Sequence, residues 1–268
     1  MATNETMISS KTNARVKQLR GAFAGNARLS EGLVAIEGEH LLEEAIRSGV
    51  ALKAVFVGGR KPVPHGLPRD TELLRLADDA FVSAVETSSP QGIAALMVPP
   101  VHRFEDLLKD SASLIVVACG LQDPGNLGAL IRSAEAFGAT GVVTTPGTVS
   151  AWNQKALRSG AGSTFRVPVV AAKAEQVREL KEHKVRLLAA VGAGGAGVEE
   201  AQALDLRGAC AFMIGNEGAG LSEEWLAMSD ARVTIPCPGP VESLNAAVAG
   251  SLLLYEASRQ RGASKEVR

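Results

Sequence analysis

The feature that most constrains the fold is an alternation of short apolar runs with helical stretches in the second half of the chain. Residues 113–119 form an apolar run closed by Gly120, and residues 141–145 form another. Between them lies a turn and then a helical stretch that Gly138 ends. Two consecutive strands joined through a helix run parallel in one sheet. The alternation therefore predicts an α/β fold built on a parallel sheet.

The same alternation continues toward the carboxy terminus. It predicts further strands at residues 165–170, 185–191, 210–214 and 232–235. It predicts helices at residues 152–162 and 175–183, and one containing Trp225 that Ser222 caps.

Residues 235–255 combine a rigid loop with an apolar helix. Three prolines and a glycine hold the first half in a fixed loop, because proline sets φ and glycine permits positive φ. Ser243 or Asn245 is suited to cap the helix that follows. A loop that feeds a helix start presents backbone N–H groups to a polar ligand. A buried carboxy-terminal helix with an ordinary proline-rich entry explains this segment equally well.

A glycine-rich loop follows the apolar run at residues 210–214. Gly215, Gly218 and Gly220 allow backbone N–H groups to approach a ligand closely, and Glu217 is a carboxylate with little local reason to be there. Residues 192–197 also satisfy G-x-G-x-x-G. The dinucleotide fingerprint requires a full crossover helix after the glycines, and too few residues precede the strand at 210–214, so we interpret this match as a decoy.

Two polar residues stand out in the helical stretch after residue 119. Asn126 is placed to cap this helix, and Arg132 interrupts a run of Leu, Ile and Ala. Arg132 could pair with Glu135, three residues on. At about 100° per residue, Asn126 and Arg132 lie on different faces, so helical spacing does not bring them together.

The first hundred residues predict a smaller α/β unit. Strands are expected at residues 33–36, 54–57 and 93–98, and helices at residues 41–48 and 72–77. Before them lies a run of five cations with no acidic residue, the type of feature that attracts phosphate backbones, although such runs are more often solvated faces: Lys11, Arg15, Lys17, Arg20 and Arg28. Two prolines at residues 99–103 indicate a linker. We therefore expect domains at residues 1–103 and 104–268.

Composition and charge indicate the cellular compartment and limit the kinds of functional site that the chain can carry. No apolar run approaches the roughly 20 residues that a membrane span needs, and the first ten residues are polar, so we expect a cytoplasmic protein. The net charge of −1 gives no global argument for nucleic acid. The three cysteines are dispersed and are expected to be reduced thiols. Neither the cysteines nor the four histidines have the spacing of a metal site.

The polar clusters follow three strands of the predicted sheet, and ligands of open α/β sheets bind beyond the carboxyl ends of strands. The order of the clusters along the chain and their residue sequences resemble those of the SpoU/TrmH family of RNA 2′-O-ribose methyltransferases. The motifs that carry this resemblance are Gln122-Asp-Pro-Gly-Asn-Leu-Gly-Ala-Leu-Ile-Arg132, Ile214-Gly-Asn-Glu-Gly-Ala-Gly-Leu221, and Ile235-Pro with Ser243-Leu-Asn-Ala-Ala-Val-Ala249. The family usually has serine where Gly160 stands.

The first hundred residues add to the resemblance. Ile36-Glu-Gly-Glu-His40 and Pro90-Gln-Gly-Ile93 resemble the ends of the ribosomal-protein-L30-like (L30e/L7Ae-like) substrate-binding domain of several members. The resemblance implies a SPOUT domain with a parallel sheet and a trefoil knot, a homodimer, and transfer of a methyl group from S-adenosylmethionine to a ribose 2′-hydroxyl. Ribosomal RNA is favoured as substrate. Transfer RNA is the alternative substrate, and an RNA-binding protein without catalysis is the alternative function.

The resemblance also implies roles for individual residues. The reacting side is expected to comprise Asn126, Arg132, Glu217, Ser243 and Asn245. The cofactor is expected to contact Thr144, Gly215, Ile235, Ser243 and Leu244. The arginine is proposed as general base in the family, but a guanidinium pKa above about 12 argues against this role. We expect Arg132 to grip the ribose or its phosphate and stabilise the developing alkoxide, and Glu217 to orient Arg132 or receive a proton through water.

Overall fold

Strand pairing sorts the chain into two separate sheets, one of four strands and one of seven, in the computed structural model. The sheets belong to two units, Met1–Val101 and His102–Arg268. The structure describes residues 7–85, 87, 89–108, 112–192, 197–241 and 243–263.

The amino-terminal unit packs helices against a mixed sheet. Its strands are β1 Val34–Glu37, β2 Leu52–Gly58, β3 Glu72–Leu76 and β4 Ile93–Met97, in the order β1-β4-β2-β3. Strand β4 is antiparallel to β1 and β2, and β3 is parallel to β2. Its helices are α1 Ala14–Phe23, α2 Ala27–Ser30, α3 Glu39–Arg47 and α4 Asp78–Val82.

The helix predicted at residues 72–77 is wrong, because this segment forms strand β3. A leucine-rich segment of six residues is too short to be a stable helix by itself. Pairing with the buried strand β2 satisfies its backbone groups instead. Ile8 then adds to the outer edge of β3, where its N–H donates to Arg75 O at 2.8 Å and its carbonyl accepts from Ala77 N at 2.9 Å.

The cationic run at residues 11–28 contains helix α1, whose apolar inner face includes Val16 and Leu19, and continues into α2. Part of its charge is used within the unit. Arg20 Nε donates to Ser83 O at 2.7 Å, and Arg15 forms a salt bridge with Glu72. The surface charge available to a partner is therefore smaller than the sequence suggests.

The carboxy-terminal unit is built on the parallel sheet. Its strands are β5 Leu114–Ala118, β6 Gly141–Thr144, β7 Val169–Ala171, β8 Arg186–Ala190, β9 Val198–Glu200, β10 Cys210–Ile214 and β11 Ala231–Thr234. Its helices are α5 Pro124–Ala136, α6 Gln154–Gly160, α7 Ala174–Glu179, α8 Glu223–Met228 and α9 Ala246–Ala263. The strand order is β7-β6-β5-β10-β8-β11-β9, and every neighbouring pair is parallel.

Both faces of this sheet are covered. Along β5, Leu114 and Val116 point into one core cluster, and Ile115 and Val117 point into another. Helices α5 and α9 cover the first cluster, and α7 and α8 cover the second. Continuous apolar strands are typical of parallel sheets buried on both faces, so the predicted architecture is confirmed.

Three local predictions for this unit need correction or qualification. Asp123 caps α5 instead of Asn126: its side chain accepts from the backbone N–H of Asn126, and Pro124 occupies the first helical position. The strand predicted at residues 165–170 is shorter in the structure, where only β7 is a strand and the 3₁₀ helix Ser163–Phe165 precedes it.

Of the glycine-rich stretch at 192–197, residues 193–196 lie outside the described part. Strand β9 and the 3₁₀ helix Ala201–Ala203 follow it.

The three cysteines are free thiols. Across the described ranges, no group of side chains could hold a metal ion. No helix in the same ranges is long and apolar enough to cross a membrane.

Candidate active site

A cavity of about 540 Å³ opens at the carboxyl edge of the seven-stranded sheet. The ends of β8, β10 and β11 form its floor, and the start of α9 forms one wall. The parallel register explains this placement, because strands that run in one direction bring their carboxyl ends to one edge. The lining includes apolar side chains and backbone of the glycine-rich loop, among them Ile214, Gly215, Ile235, Leu244, Ala249 and Leu253.

The loop after β10 is held as a tight turn by Asn216. Its backbone exchanges hydrogen bonds with Gly220, at 3.0 and 2.9 Å, and its Oδ1 accepts from Gly218 N and Ala219 N. A Cβ atom on Gly215 would lie 2.3 Å from the carbonyl carbon of Gly220, so this position requires glycine. Asn216 Nδ2 also donates to Gly120 O at 2.9 Å, which ties the turn to the end of β5.

The sequence interpretation assigned no role to Asn216. The available signal was an asparagine within a glycine-rich loop, a residue type that hydrogen-bonds to nearby backbone N–H groups.

Glu217 links this turn to the loop before α5. Its carboxylate accepts from Gln122 N at 3.2 Å, from Asp123 N at 3.1 Å and from Asn126 Nδ2 at 3.0 Å. Partial burial raises the pKa of Glu217, but the hydrogen bonds from Asn126 and the backbone outweigh burial, so the pKa lies below its ordinary value. The carboxylate is therefore ionised at neutral pH and occupied by donors, which makes it a poor proton acceptor.

Asn126 and Asn245 join the first and third polar clusters. Asn245 Nδ2 donates to Asn126 Oδ1 at 2.9 Å. Asn245 Oδ1 accepts from Ala247 N and Val248 N, so of the two candidates for the cap of α9 it is Asn245 that forms the cap. Because Asn126 Nδ2 faces the Glu217 carboxylate, its Oδ1 must face Asn245, and the orientation of each amide is fixed by its partners.

The structure places most of the predicted site residues around this cavity. Glu217, Ser243 and Asn245 line it together with Gly215, Ile235 and Leu244, and Asn126 is hydrogen-bonded to two of the lining residues. Ser243 is exposed at the mouth. Helix α9 packs closely against α5 within the subunit, because a Cβ on Gly250 would lie 2.4 Å from Leu130 Cδ1.

Arg132 and Thr144 do not line the cavity. Arg132 is exposed on α5, about 9 Å along the helix axis from Asn126. Its expected partner Glu135 forms a salt bridge with Arg166 instead. Glu217 was expected to orient Arg132, but its carboxylate binds the amide of Asn126. Thr144 ends β6, and its carbonyl accepts from Ala172 N. The assignments of Arg132 and Thr144 stay predictions.

Comparisons with known proteins agree with this geometry. Residues 113–255 match the SpoU rRNA Methylase family, and residues 13–95 match the MRM3-like substrate binding domain. The 23S rRNA (guanosine(2553)-2′-O)-methyltransferase RlmP of Bacillus subtilis is 36% identical over 249 residues, covering 92% of this chain and 97% of the relative.

Solved structures give the same result. The SpoU methyltransferase AviRb of Streptomyces viridochromogenes, in complex with AdoMet, superposes with a TM-score of 0.83 at 28% identity, covering 93% of this chain and 98% of its own. An AdoMet-bound rRNA methyltransferase of Sinorhizobium meliloti superposes with a TM-score of 0.82 at 25% identity, covering 96% and 98%. The chain therefore belongs to the SpoU family of S-adenosylmethionine-dependent RNA methyltransferases.

Proposed function

We propose that this enzyme methylates a ribose 2′-hydroxyl of ribosomal RNA, as the name of the RlmP relative states for that protein. The observation that carries the proposal is the hydrogen-bonded chain Glu217–Asn126–Asn245 at the mouth of the cavity. This series of hydrogen bonds joins three loops. It holds two amides in fixed orientations beside the space where a hydroxyl would meet the methyl donor. Fixed donors and acceptors reduce the cost of aligning two reactants.

The cavity fits S-adenosylmethionine. Its volume lies in the range of small-molecule sites, and its mixture of apolar walls and backbone polar edges suits an adenosyl group. Gly215, Ile235, Ser243 and Leu244 would hold this group, and the absence of a Cβ at Gly215 allows the turn to close behind it. When bound, the cofactor supplies a methyl group already activated on a sulfonium.

The residues of the chain then align the acceptor hydroxyl and stabilise its oxygen while the hydroxyl proton passes to solvent. Asn126 and Asn245 each keep an amide hydrogen that the hydrogen bonds described above do not use, and these are suited to hold the ribose. Glu217 keeps Asn126 in place through its ionised carboxylate. Arg132 acts as a cation that grips the ribose or its phosphate and stabilises the developing alkoxide.

The position of Arg132 outside the cavity bears on the quaternary structure. We infer a homodimer through the carboxy-terminal unit, in which Arg132 of one protomer reaches the site of the other. Val248, Leu252 and Tyr255 support this inference, because they form an apolar stripe on α9 that is 47%, 41% and 51% exposed. Their spacing of four and three residues places them on one face of the helix. The trefoil knot implied by the family and a cytoplasmic location belong to the same proposal.

The amino-terminal unit would select the RNA, in keeping with its match to a substrate-binding domain. Lys11, Lys17 and Arg28 are the cations of its first segment whose side chains form neither a salt bridge nor a hydrogen bond within the described residues, and they could meet phosphates. Several relatives carry tRNA/rRNA methyltransferase names, so transfer RNA must be included in the test.

The test is transfer of a labelled methyl group from S-adenosylmethionine to purified ribosomal RNA and transfer RNA, followed by mapping of 2′-O-methyl sites. We expect incorporation at a ribose of ribosomal RNA. Asn126→Ala should abolish transfer and leave cofactor affinity, measured by calorimetry, within a few fold. Incorporation into transfer RNA alone would replace the proposed substrate. A wild-type protein that binds cofactor and RNA without transfer would indicate a binding protein.

A further inference from the structure

A second cavity, of about 420 Å³, lies at the same edge of the sheet on the other side of the turn at residues 216–220. Cys119 and Gly120 at the end of β5 and Thr145 after β6 line it, together with Trp225 on α8. Gly220 lines both cavities, so the turn is the partition between them. None of the site residues assigned above lines the second cavity.

The two side chains with polar atoms on the floor of the second cavity, Thr145 and Cys119, are not reactive groups. Thr145 Oγ1 donates to Ala118 O and accepts from Gly120 N at 3.2 Å, so its hydroxyl hydrogen is already used. Burial raises the pKa of the Cys119 thiol well above its ordinary value, and the thiol stays protonated at neutral pH. Neither Thr145 nor Cys119 is therefore suited to a nucleophilic or acid–base role, and the floor is suited to binding.

The rim is aromatic and charged. Trp225 is half-buried, and its indole N–H donates no hydrogen bond to the described part of the chain. Lys173, Glu175 and Glu224 are exposed around it, without a salt bridge to any described residue. Two carboxylates against one ammonium disfavour a phosphate. An aromatic face beside carboxylates favours a planar, amino-bearing heterocycle, because indole stacks on such rings and carboxylates accept from exocyclic amino groups.

We propose that the second cavity binds an unpaired nucleobase of the RNA substrate next to the methylated nucleotide, by stacking on Trp225. This inference rests on the proposed RNA methylation. The turn between the cavities is bridged by Asn216 and Gly220 in antiparallel fashion, so it is about 5 Å wide. Stacked bases of one strand are about 3.4 Å apart and splayed bases are further apart, so a neighbouring nucleotide can span the turn.

The two tryptophans of the chain allow a direct test of stacking. Trp152→Phe leaves Trp225 as the only tryptophan, and Trp225→Phe leaves Trp152, which stacks on Phe165 outside the cavity. Both variants are titrated with short single-stranded oligo-A, oligo-C and oligo-U RNA. We expect saturable quenching in Trp152→Phe, stronger with oligo-A and oligo-C than with oligo-U, and none in Trp225→Phe. Absent quenching in Trp152→Phe, or equal quenching in both variants, would overturn the proposal.

Kinetics separate this inference from the proposed function. Trp225→Ala should raise KM for ribosomal RNA about tenfold, with cofactor affinity unchanged and kcat retained at saturating RNA, and Trp225→Phe should restore most of the loss. The wild-type KM for RNA in a Trp225→Ala protein that still transfers methyl groups would refute the subsite and leave the proposed function standing. No transfer by the wild-type protein would remove the proposed function, and the subsite as a substrate site with it.

Discussion

A single carboxylate connects two loops of the active site. Glu217 accepts hydrogen bonds from the backbone before α5 and from the amide of Asn126, and Asn126 in turn accepts from Asn245. We propose from these contacts that Glu217 is a positioning residue, since its acceptor atoms are used before any substrate arrives, and that its effect on the reaction passes through Asn126.

Glu217→Gln should lower kcat for methyl transfer about tenfold, because an amide cannot accept from all three donors and turns one N–H toward another. A lost hydrogen bond costs about 1–3 kcal/mol when buried, and the exposure of this site places the expected cost at the lower end. The measurement is steady-state transfer to RNA at saturating cofactor. Glu223→Gln, at an exposed glutamate in the first turn of α8, is the matched control and should keep the wild-type rate.

The pH dependence of stability gives an independent check on Glu217. Its pKa lies below the ordinary value of 4.5, so its ionised form stabilises the fold at neutral pH, and this contribution is lost as the pH falls below 4.5. The difference in unfolding free energy between wild type and Glu217→Gln should stay constant from about pH 7 to about pH 5 and shrink below. A difference that does not change with pH would contradict the role of the ionised carboxylate.

The close approach of α5 and α6 sets the position of the segment that carries Asn126. A Cβ on Gly128 would lie 2.2 Å from Ala156 O and 2.8 Å from Ser159 Cβ. Ser159 Oγ also donates to Gly125 O at 2.8 Å, and Lys155 forms a salt bridge with Asp123. The start of α5 is therefore held against α6 by contact and by polar links.

Gly128→Ala should lower the unfolding free energy by about 1–3 kcal/mol, because the added methyl must push two helix backbones apart. Denaturant unfolding of the purified variant measures this change. The methyl transfer rate should fall as well, since Asn126 moves with α5.

Gly160→Ser on the facing helix is the control. A Cβ there would lie 3.3 Å from Thr164 Oγ1 and 3.4 Å from Gly128 O, contacts that small shifts can relieve. Thr164 Oγ1 is buried without a hydrogen-bond partner in the described part of the chain, and a serine hydroxyl can supply one. We expect a gain of less than about 1 kcal/mol. A loss equal to that of Gly128→Ala would show that the two glycines are not distinguished by contact as argued.

The proposed dimer would form through the carboxy-terminal unit. Helix α9 packs its inner residues Leu253, Leu254 and Ala257 against the sheet and leaves the stripe of Val248, Leu252 and Tyr255 exposed. Tyr255 contacts Phe137 edge-on at 5.7 Å, and Ser251 hydrogen-bonds to Ser133 on α5. Arg132 is exposed on α5 and points to a different face of that helix from the residues that contact α9, so within the described residues nothing in one protomer occupies it.

Heterodimers of Arg132→Ala and Asn126→Ala protomers test whether Arg132 acts across the dimer. Each homodimer should be inactive. A heterodimer isolated through two different affinity tags should recover roughly half of the wild-type activity, because one of its two sites then has both residues. The measurement is methyl transfer per protein.

Leu252→Glu is the companion variant, since a carboxylate on the stripe should yield a monomer in sedimentation analysis. A heterodimer without activity would place Arg132 and Asn126 in the same protomer. A wild-type protein that sediments as a monomer would remove the dimer from the proposal.

Much of the fold was predictable from local pattern. The apolar runs at residues 113–119 and 210–214 became β5 and β10, because a strand buried on both faces must be apolar along its length. Segments without this constraint were predicted less well. Residues 72–77 have a composition that suits a helix, and their pairing with β2 reversed that preference.

The sequence by itself determined the parallel α/β architecture and the three polar clusters, since both depend on residue types at fixed spacing. Only the tertiary structure decided which polar atoms meet. Asn126 and Asn245 are 119 positions apart and bond because β5 and the start of α9 reach one edge of the sheet. The tertiary structure also decided that Glu217 binds Asn126 and not Arg132, because a carboxylate accepts from the donors that the folded loops bring within about 3 Å.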